Sequence, residues 1–342
     1  MALFKTFGSN PSGKDLDRIV ASANYKNNIF QNLSETMALL EGTSYIKLTW
    51  SFFNKPKNTA PGSPLPSIKT ELKSVAIEKP LIVWLGHSSY FIHINGRNIL
   101  VDPVLSGYAS PFSFTGKSFK GSDIYTTDDL PDIDLLVLTH DHYDHLDYNT
   151  ILKLKAKTKI ICTSLGVGSH LRYWGIDSAI ITEFDWWDSK QVFDNIHLAA
   201  APARHFSGRS FTRNKTLWSS FILRSGEYTI YIGGDSGYDS HFKSIGEKFG
   251  PFDIAILETG QYGTAWPYIH MMPEEAVQAS IDLRAKVLLP VHWGKFALAM
   301  HPWDEPVKRV IAKAKELNVK VTTPLIGEPV VLNESYPDKQ WW

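Results

Sequence analysis

The sequence predicts a layered α/β sandwich, with mixed sheets covered by helices, and three observations carry that expectation. From Leu81 onward the chain runs in short apolar and β-branched stretches separated by turn residues. The early stretches are joined as hairpins and the later ones alternate with helical patterns, an order that buries sheets between helices. The length of 342 residues, with 43% hydrophobic and 13% aromatic content, is enough for a sizeable core.

Each element has its own reason. Residues 1–48 are polar with helical patches, such as 33–40. Residues 49–79 are expected to be irregular, because Trp50, Phe52 and Phe53 lead into Pro56, Pro61, Pro64 and Pro66, and proline cannot join a central sheet. Residues 1–79 therefore read as a helical and proline-rich arm packed on a main domain of residues 80–335, with part of a partner interface as the alternative for 49–79. In that domain residues 81–85, 90–94 and 99–101 read as strands, and Asn95-Gly96 is a hairpin turn between the second and third. Further strands are expected at 135–138, 159–162, 179–182, 196–201, 217–223, 229–232, 254–257 and 287–290. Helical patterns cover 151–155, 242–249, 273–283 and 305–317. The start Met272-Pro273-Glu274-Glu275 has the proline and acids that a first helical turn prefers.

Composition narrows the function classes. Lys plus Arg and Asp plus Glu number 35 each, so no global field draws the chain to nucleic acid or an acidic membrane. The one cysteine, Cys162, excludes an intramolecular disulfide scaffold and reads as a small buried hydrophobe in an apolar run. The N-terminus shows no apolar leader, and no apolar run approaches the roughly 18 residues that span a bilayer. A cytoplasmic protein is the expectation, with membrane association, if any, at the periphery and the Trp50, Phe52 and Phe53 segment as its contributor.

The chemistry concentrates after one buried run. Leu135-Leu136-Val137-Leu138-Thr139 ends in His140-Asp141-His142-Tyr143-Asp144-His145, a His-x-His-x-Asp-His pattern in a loop at a strand end, where α/β folds place their sites. In an extended segment His140 and His142 point the same way and can grip one metal. Asp144 and His145 follow a change of direction and can face a second. Imidazole with carboxylate suits Zn²⁺ and its neighbours rather than Ca²⁺ or Mg²⁺. Three more apolar runs end in ligand types: Ala201-Pro202-Ala203-Arg204-His205, Tyr231-Ile232-Gly233-Gly234-Asp235 and Leu289-Pro290-Val291-His292. Alone, each of these could as readily be structural. Together they complete two sites: His140, His142, His205 and Asp235 for one metal, and Asp144, His145, Asp235 and His292 for the other, with Asp235 bridging.

This ordered set resembles the signature of the metallo-β-lactamase superfamily over roughly residues 81–293, which implies a four-layer αββα sandwich with the site at one edge. Segments such as Trp84-Leu85-Gly86-His87-Ser88-Ser89, Ile99-Leu100-Val101-Asp102-Pro103, His205-Phe206-Ser207-Gly208-Arg209 and His292-Trp293-Gly294-Lys295-Phe296 are similar to the subfamily of N-acylphosphatidylethanolamine-hydrolysing phospholipases D and their bacterial relatives. The resemblance implies two Zn²⁺ ions, with Mn²⁺ or Fe²⁺ as alternatives, a homodimer, and hydrolysis of a phospholipid phosphodiester by a hydroxide bridging the metals. Asp144 and Asp235 would be the catalytic carboxylates and His270 would face the substrate. The residue before that histidine is often glutamine in the family, whereas this chain has Ile269.

Asp102 and His87, in matched motifs at strand ends, are expected to orient the ligands from behind. Trp218, Tyr262 and Tyr268, with His270, are expected to contact substrate, and Trp266 and Trp293 crowd the same segments. His93, His170, His197 and His241 match nothing in the pattern and are expected in surface or packing roles. Competing readings are a lactonase or small phosphodiesterase on the same metals, and a non-catalytic metal-stabilised binding protein, against which the complete ligand set argues. A nuclease is disfavoured by the neutral chain.

Overall fold

The computed structural model describes residues 5–75 and 79–342; Met1–Phe4, part of the stretch read for a leader, lie outside them. The arm contains a short helix α1 (Lys14–Val20), a two-residue hairpin of β1 (Tyr25–Lys26) and β2 (Ile29–Phe30), and helix α2 (Tyr45–Phe53). Residues 33–40, expected as a helical patch, form bends instead. The helix lies further on, at α2, where the Ser44 hydroxyl caps Lys47 N. Its apolar residues at 46, 50 and 53 and at 48 and 52 make two stripes on opposite faces.

The first large sheet takes β3 (Leu81–Trp84), β4 (Tyr90–Ile94), β5 (Arg97–Val101), β6 (Ile133–Leu138), β7 (Thr158–Ser164) and β8 (Ile181–Phe184). Helices α3 (Tyr148–Leu154) and α4 (Gly168–Tyr173) connect its later strands. The second sheet takes β9 (Ser189–Phe193), β10 (Ile196–Ala201), β11 (Ser220–Ser225), β12 (Tyr228–Ile232), β13 (Ile254–Glu258) and β14 (Leu288–Val291). Helices α5 (His241–Phe249), α6 (Pro273–Asp282) and α7 (Glu305–Leu317) alternate with its parallel strands. Then β15 (Pro329–Val331) returns to pair with β3 at the edge of the first sheet.

Strands joined by hairpins pair antiparallel and strands joined across helices pair parallel, as the alternation of patterns predicts, while β5 and β6 pair parallel across the long connection of residues 102–132. Alternate residues divide the strands between two environments. Ile82, Ile92, Val101 and Val137 from one sheet meet Leu198, Leu223, Ile232 and Ile256 from the other. Their neighbours Val83, Phe91, Leu136 and Leu138 pack under Ile151 and Leu171, while Tyr231, Ala255 and Leu257 pack under Phe242, Ala276 and Val310. The result is the four-layer αββα sandwich. Burying each such large side chain contributes roughly 1.5–3 kcal/mol. Cys162 sits in the layer between the sheets, as expected.

The differences are local. The stretch expected as a strand at 217–223 begins its pairing only at Ser220, because Leu217 and Trp218 turn into a separate cluster with Ile19 and Phe30. The arm lies on the body: Phe30 N donates to the Asn214 carbonyl, Leu65 N to Lys120 and Ile68 N to Ile326. Among the described residues no helix is long and apolar enough to cross a membrane.

Candidate metal centre

The site lies along one edge of the sandwich, where strands of both sheets end. β6 delivers the loop of His140 to His145, while β10, β12 and β14 end just before His205, Asp235 and His292. Gly233 and Gly234 make the Asp235 turn possible. A Cβ on Gly233 would stand 2.6 Å from the Ile256 carbonyl, and Gly234 has φ 62°. His87, Asp102 and His292 themselves adopt left-handed backbone conformations, with φ of 53°, 40° and 69°. Three such non-glycine residues at one site are strain held in place by the surrounding fold.

The donors form two four-residue clusters whose atoms lie within 4.8 Å of one another, His140, His142, His205 and Asp235, and His87, Asp144, His145 and His292, with a three-residue group of Asp235, His270 and His292 overlapping both. In the first, His142 Nδ1 lies 3.0 Å from His140 Nε2 and 3.1 Å from His205 Nε2. One proton cannot serve both contacts, whereas a shared cation can. Asp235 Oδ1 lies 3.1 Å from His145 Nε2 and 3.2 Å from His292 Nδ1, and its Oδ2 is 3.7 Å from His140 and His205 Nε2. It therefore stands between the clusters. Among the described residues, His145 Nε2, His292 Nε2 and Asp235 Oδ1 are buried without a hydrogen-bond partner. Buried polar atoms seldom go unsatisfied, so this donor set fits metal ions.

The backs of the rings are held. His145 Nδ1 donates to Asp102 Oδ2 at 2.7 Å, and Asp102 also receives Thr139 N and Oγ1 at 2.8 and 2.6 Å. His205 Nδ1 donates to the Ile269 carbonyl at 2.8 Å, and Ser88 Oγ lies 2.8 Å from His292 Nδ1. Such partners fix which nitrogen faces the metal. Burial pushes His140, His205 and His292 well below the ordinary imidazole range, leaving neutral rings ready to ligate. Burial would raise the Asp235 carboxyl, but His145, His292 and His140 outweigh it and hold it well below the usual range.

Similarity to known proteins agrees with this geometry. The family model of the beta-lactamase superfamily domain matches residues 97–293. The chain belongs to the metallo-β-lactamase superfamily. It is 39% identical over 326 residues to an uncharacterised protein of Mycobacterium tuberculosis, covering 94% of this chain and 87% of that one. It is also 34% identical over 227 residues to the N-acyl-phosphatidylethanolamine-hydrolyzing phospholipase D 1 of Caenorhabditis elegans, covering 63% of this chain and 64% of that one. In structure it is similar to Igni18, a metallo hydrolase from Ignicoccus hospitalis, with a TM-score of 0.59 at 20% identity, covering 75% of this chain and all of the other.

Within this superfamily fold, the seven residues expected as ligands come together. His87, expected behind them, stands among them, with Nε2 3.0 Å from Asp144 Oδ2. Asp102 lies behind His145, as the motif suggests. His270 lines a cavity of about 270 Å³ with His142, Asp144, His205, Asp235 and His292. Its other walls are Ala38, Leu39, Leu48, Phe52, Phe206, Trp266, Ile269 and Leu298, with Arg213 and Gln261 as further polar residues.

Trp218, Tyr262 and Tyr268, expected to touch substrate, do not line this cavity. Trp218 is buried, donating Nε1 to Asn32 Oδ1 and the Ala203 carbonyl. Tyr262 donates to Glu305 and stacks on His301. Tyr268 lies under Arg204. Crowding the segments around the ligands did not translate into facing the cavity. Trp293 likewise packs on Trp84 and Trp341 in the core. Of the unmatched histidines, His170 and His241 are buried packing residues, and His93 bonds Asn98.

The sequence reading missed Glu258. It is fully buried at the end of β13, with Oε1 3.2 Å from His270 Nδ1 and 3.0 Å from Met271 N. Burial pushes its carboxyl up to about 7 against the pull of His270. Burial opposes the charge on His270, but Glu258 and then Asp235 overcome it and hold the ring up to about 9.

Proposed function

We propose that the protein is a metal-dependent hydrolase that cleaves phosphodiesters of N-acylphosphatidylethanolamine-like lipids with a phospholipase D outcome. One observation carries this reading: two clusters of histidine and aspartate donors meet at Asp235 on the floor of a cavity with apolar walls. His140, His142, His205 and Asp235 would hold one zinc ion, and Asp144, His145, His292 and Asp235 the other, with His87 beside Asp144; Mn²⁺ or Fe²⁺ would suit the same donors. Bound there, such cations acidify water and neutralise charge on phosphoryl oxygens.

The chain's own groups do the rest. Asp102, Ser88 and the Ile269 carbonyl orient the rings of His145, His292 and His205. With Nδ1 turned to Glu258, His270 presents Nε2 to the cavity, where its proton can pass to the leaving alkoxide. Leu39, Leu48, Phe52, Trp266 and Leu298 exclude water and offer an apolar surface for acyl chains.

The lipid reading draws support from α2. Leu48 and Phe52 line the cavity, while Ile46, Trp50 and Phe53 on the opposite face are 84%, 66% and 86% exposed. Between Glu41 and Glu71 the chain carries Lys47, Lys55, Lys57 and Lys69 and no acid. An apolar stripe among lysines suits the interface of an anionic bilayer, with α2 lying flat on it.

The deciding experiment incubates zinc-loaded protein with N-acylphosphatidylethanolamine, phosphatidylethanolamine, a generic phosphodiester and a lactone, with Asp235→Asn alongside. Phosphatidic acid from the wild type and not from the variant supports the reading. A second reading, a lactonase or small-molecule phosphodiesterase, is favoured by the modest cavity of about 270 Å³. Turnover of only the lactone or the generic diester would establish it and sink the lipid assignment.

A further inference from the structure

Glu258 belongs to neither donor cluster and does not line the cavity, yet it touches the machinery at two points. It continues the alternation of β13, in which Ile254 and Ile256 face the layer between the sheets, so its carboxylate is aimed at the site end of that layer. Its Oε1 receives three N–H groups: His270 Nδ1 at 3.2 Å, Met271 N at 3.0 Å and Ser236 N at 3.4 Å. Two of these come from the His270 loop and the third from the residue after Asp235. Its Oε2 is buried with no partner among the described residues. A carboxylate so placed is costly to keep buried, and an apolar residue would fill the position more cheaply. Such an expense points to use rather than packing.

We propose that Glu258 is a positioning residue that fixes the orientation of the His270 ring and holds its Nδ1–H. With Nδ1–H donated to Oε1, Nε2 is the only ring nitrogen left for the cavity. The ring then stands 5.3 Å from that of His292 and 5.0 Å from that of His205. Through Ser236 N the same carboxylate keeps the His270 loop in register with the turn carrying Asp235. The neighbouring residue does not share this task. Ile269 packs with Trp266 and Ala299 and offers only its carbonyl, to His205 Nδ1. Polar support for His270 thus comes from a different strand, rather than from the adjacent side chain.

The role of Glu258 in turnover rests on the hydrolase reading above, but its pairing with His270 does not, and the test separates them. Zinc-loaded wild type, Glu258→Ala, Glu258→Gln, His270→Gln and the Glu258→Ala/His270→Gln double variant are compared on whichever panel substrate is turned over. Metal content and Tm are measured for each. Alongside, ¹⁵N-histidine NMR reads the His270 ring, assigned by its loss in His270→Gln. The expected result is a Nδ1–H ring in wild type and Glu258→Gln, whose amide oxygen still accepts, and loss of that signature in Glu258→Ala. Glu258→Ala should lower kcat about tenfold or more with KM within about twofold, Glu258→Gln should recover most of it, and the double variant should be no slower than His270→Gln alone. An equal loss from Glu258→Ala with and without His270 would overturn the proposal, as would an unchanged ring signal in Glu258→Ala. If no panel substrate is turned over, the hydrolase reading fails while the ring spectra still decide the pairing. Should Glu258→Ala not fold, a Nδ1–H ring absent from folded Glu258→Gln and wild type alike would overturn it.

Discussion

The donor clusters and the α2 cover above them enclose the same cavity on opposite terms. Most of the donors are buried and several are braced from behind by a second group, as His145 is by Asp102 and His205 by the Ile269 carbonyl, while His142 and Asp144 are half-buried where they line the cavity. The cover touches the body through a few apolar side chains, with Phe52 stacked on Trp266 and Lys55 donating to the Ala297 carbonyl, and leaves its outer stripe in solvent. Rigid donors suit a reaction whose charges must be met without rearrangement. A loosely held apolar cover suits the admission of a large substrate. Changes in the clusters should therefore damage every substrate alike, and changes in the cover should discriminate among substrates.

The largest effect is expected at Asp235. Asp235→Asn removes the carboxylate that stands between the two clusters, and should lower turnover of all substrates by on the order of 10³-fold or more, with at least one metal equivalent lost by elemental analysis. Chelation of the wild type should lower its Tm markedly, since metal binding stabilises only the folded state, and the same chelator should move the variant far less. Full metal content with undiminished turnover in Asp235→Asn would break the comparison at its centre.

A smaller loss is expected one step back. Asp102→Asn keeps the shape but lets the His145 ring turn, so metal affinity or activity should fall roughly 10–100-fold, again for every substrate. Titration of the variant with zinc against a competing chelator measures this. A loss confined to lipid substrates would show that the brace serves the cavity rather than the metals.

The donors were legible in the sequence because their signal is local. His140, His142, Asp144 and His145 fall within six positions, and His205, Asp235 and His292 each end an apolar run. The same rule would have exposed Glu258, a lone acid ending Ile254-Ala255-Ile256-Leu257, had strand ends been weighed for acids without a histidine pattern. His87 was read as a brace because a single histidine after a strand does not reveal whether it enters a cluster. The cover was illegible for another reason. The prolines after residue 55 suggested irregular chain, and masked the two apolar stripes of α2. Trp218, Tyr262 and Tyr268 show the limit of reading by neighbourhood, since strand alternation and turns send aromatic residues of the segments around the ligands to other surfaces.

Asp141 tests the rigidity of the cluster loop by stability rather than turnover. Its buried carboxylate receives His170 Nε2 at 3.2 Å, Gly208 N at 2.8 Å and Thr216 Oγ1 at 2.9 Å. Ser9 N donates to His170 Nδ1, so that ring is the neutral Nε2–H tautomer. Burial alone would raise the Asp141 carboxyl, but His170 and the other donors hold it well below the usual range. A depressed folded-state value means stability that is full above the unfolded value, roughly 4, and is lost as pH falls through the folded one. Asp141→Asn should cost about 2 kcal/mol at neutral pH, with the gap to wild type closing under acid. Denaturation across pH 2–7 checks both, and a gap that widens in acid would refute the assignment.

The smallest and most selective effect is expected at the cover. Trp50→Ser/Phe53→Ser removes apolar area already in solvent, so folding stability should change by no more than about 0.5 kcal/mol. Neither side chain lines the cavity, so turnover of a small soluble diester should stay within about twofold. On vesicles containing anionic lipid, each residue would lose its burial at the interface, roughly 1.5–3 kcal/mol apiece if complete and less for shallow insertion. Binding should therefore weaken at least about tenfold, and initial rates on vesicle substrate should fall with it, while detergent-dispersed substrate is spared. Sedimentation with vesicles measures the first and product release the second. Equal losses on soluble and vesicle substrates would make the outer stripe part of the catalytic framework and erase the distinction between cover and clusters. Unchanged vesicle binding would instead leave the cover as a wall of the cavity only, and shift the lipid assignment onto the cavity's apolar lining alone.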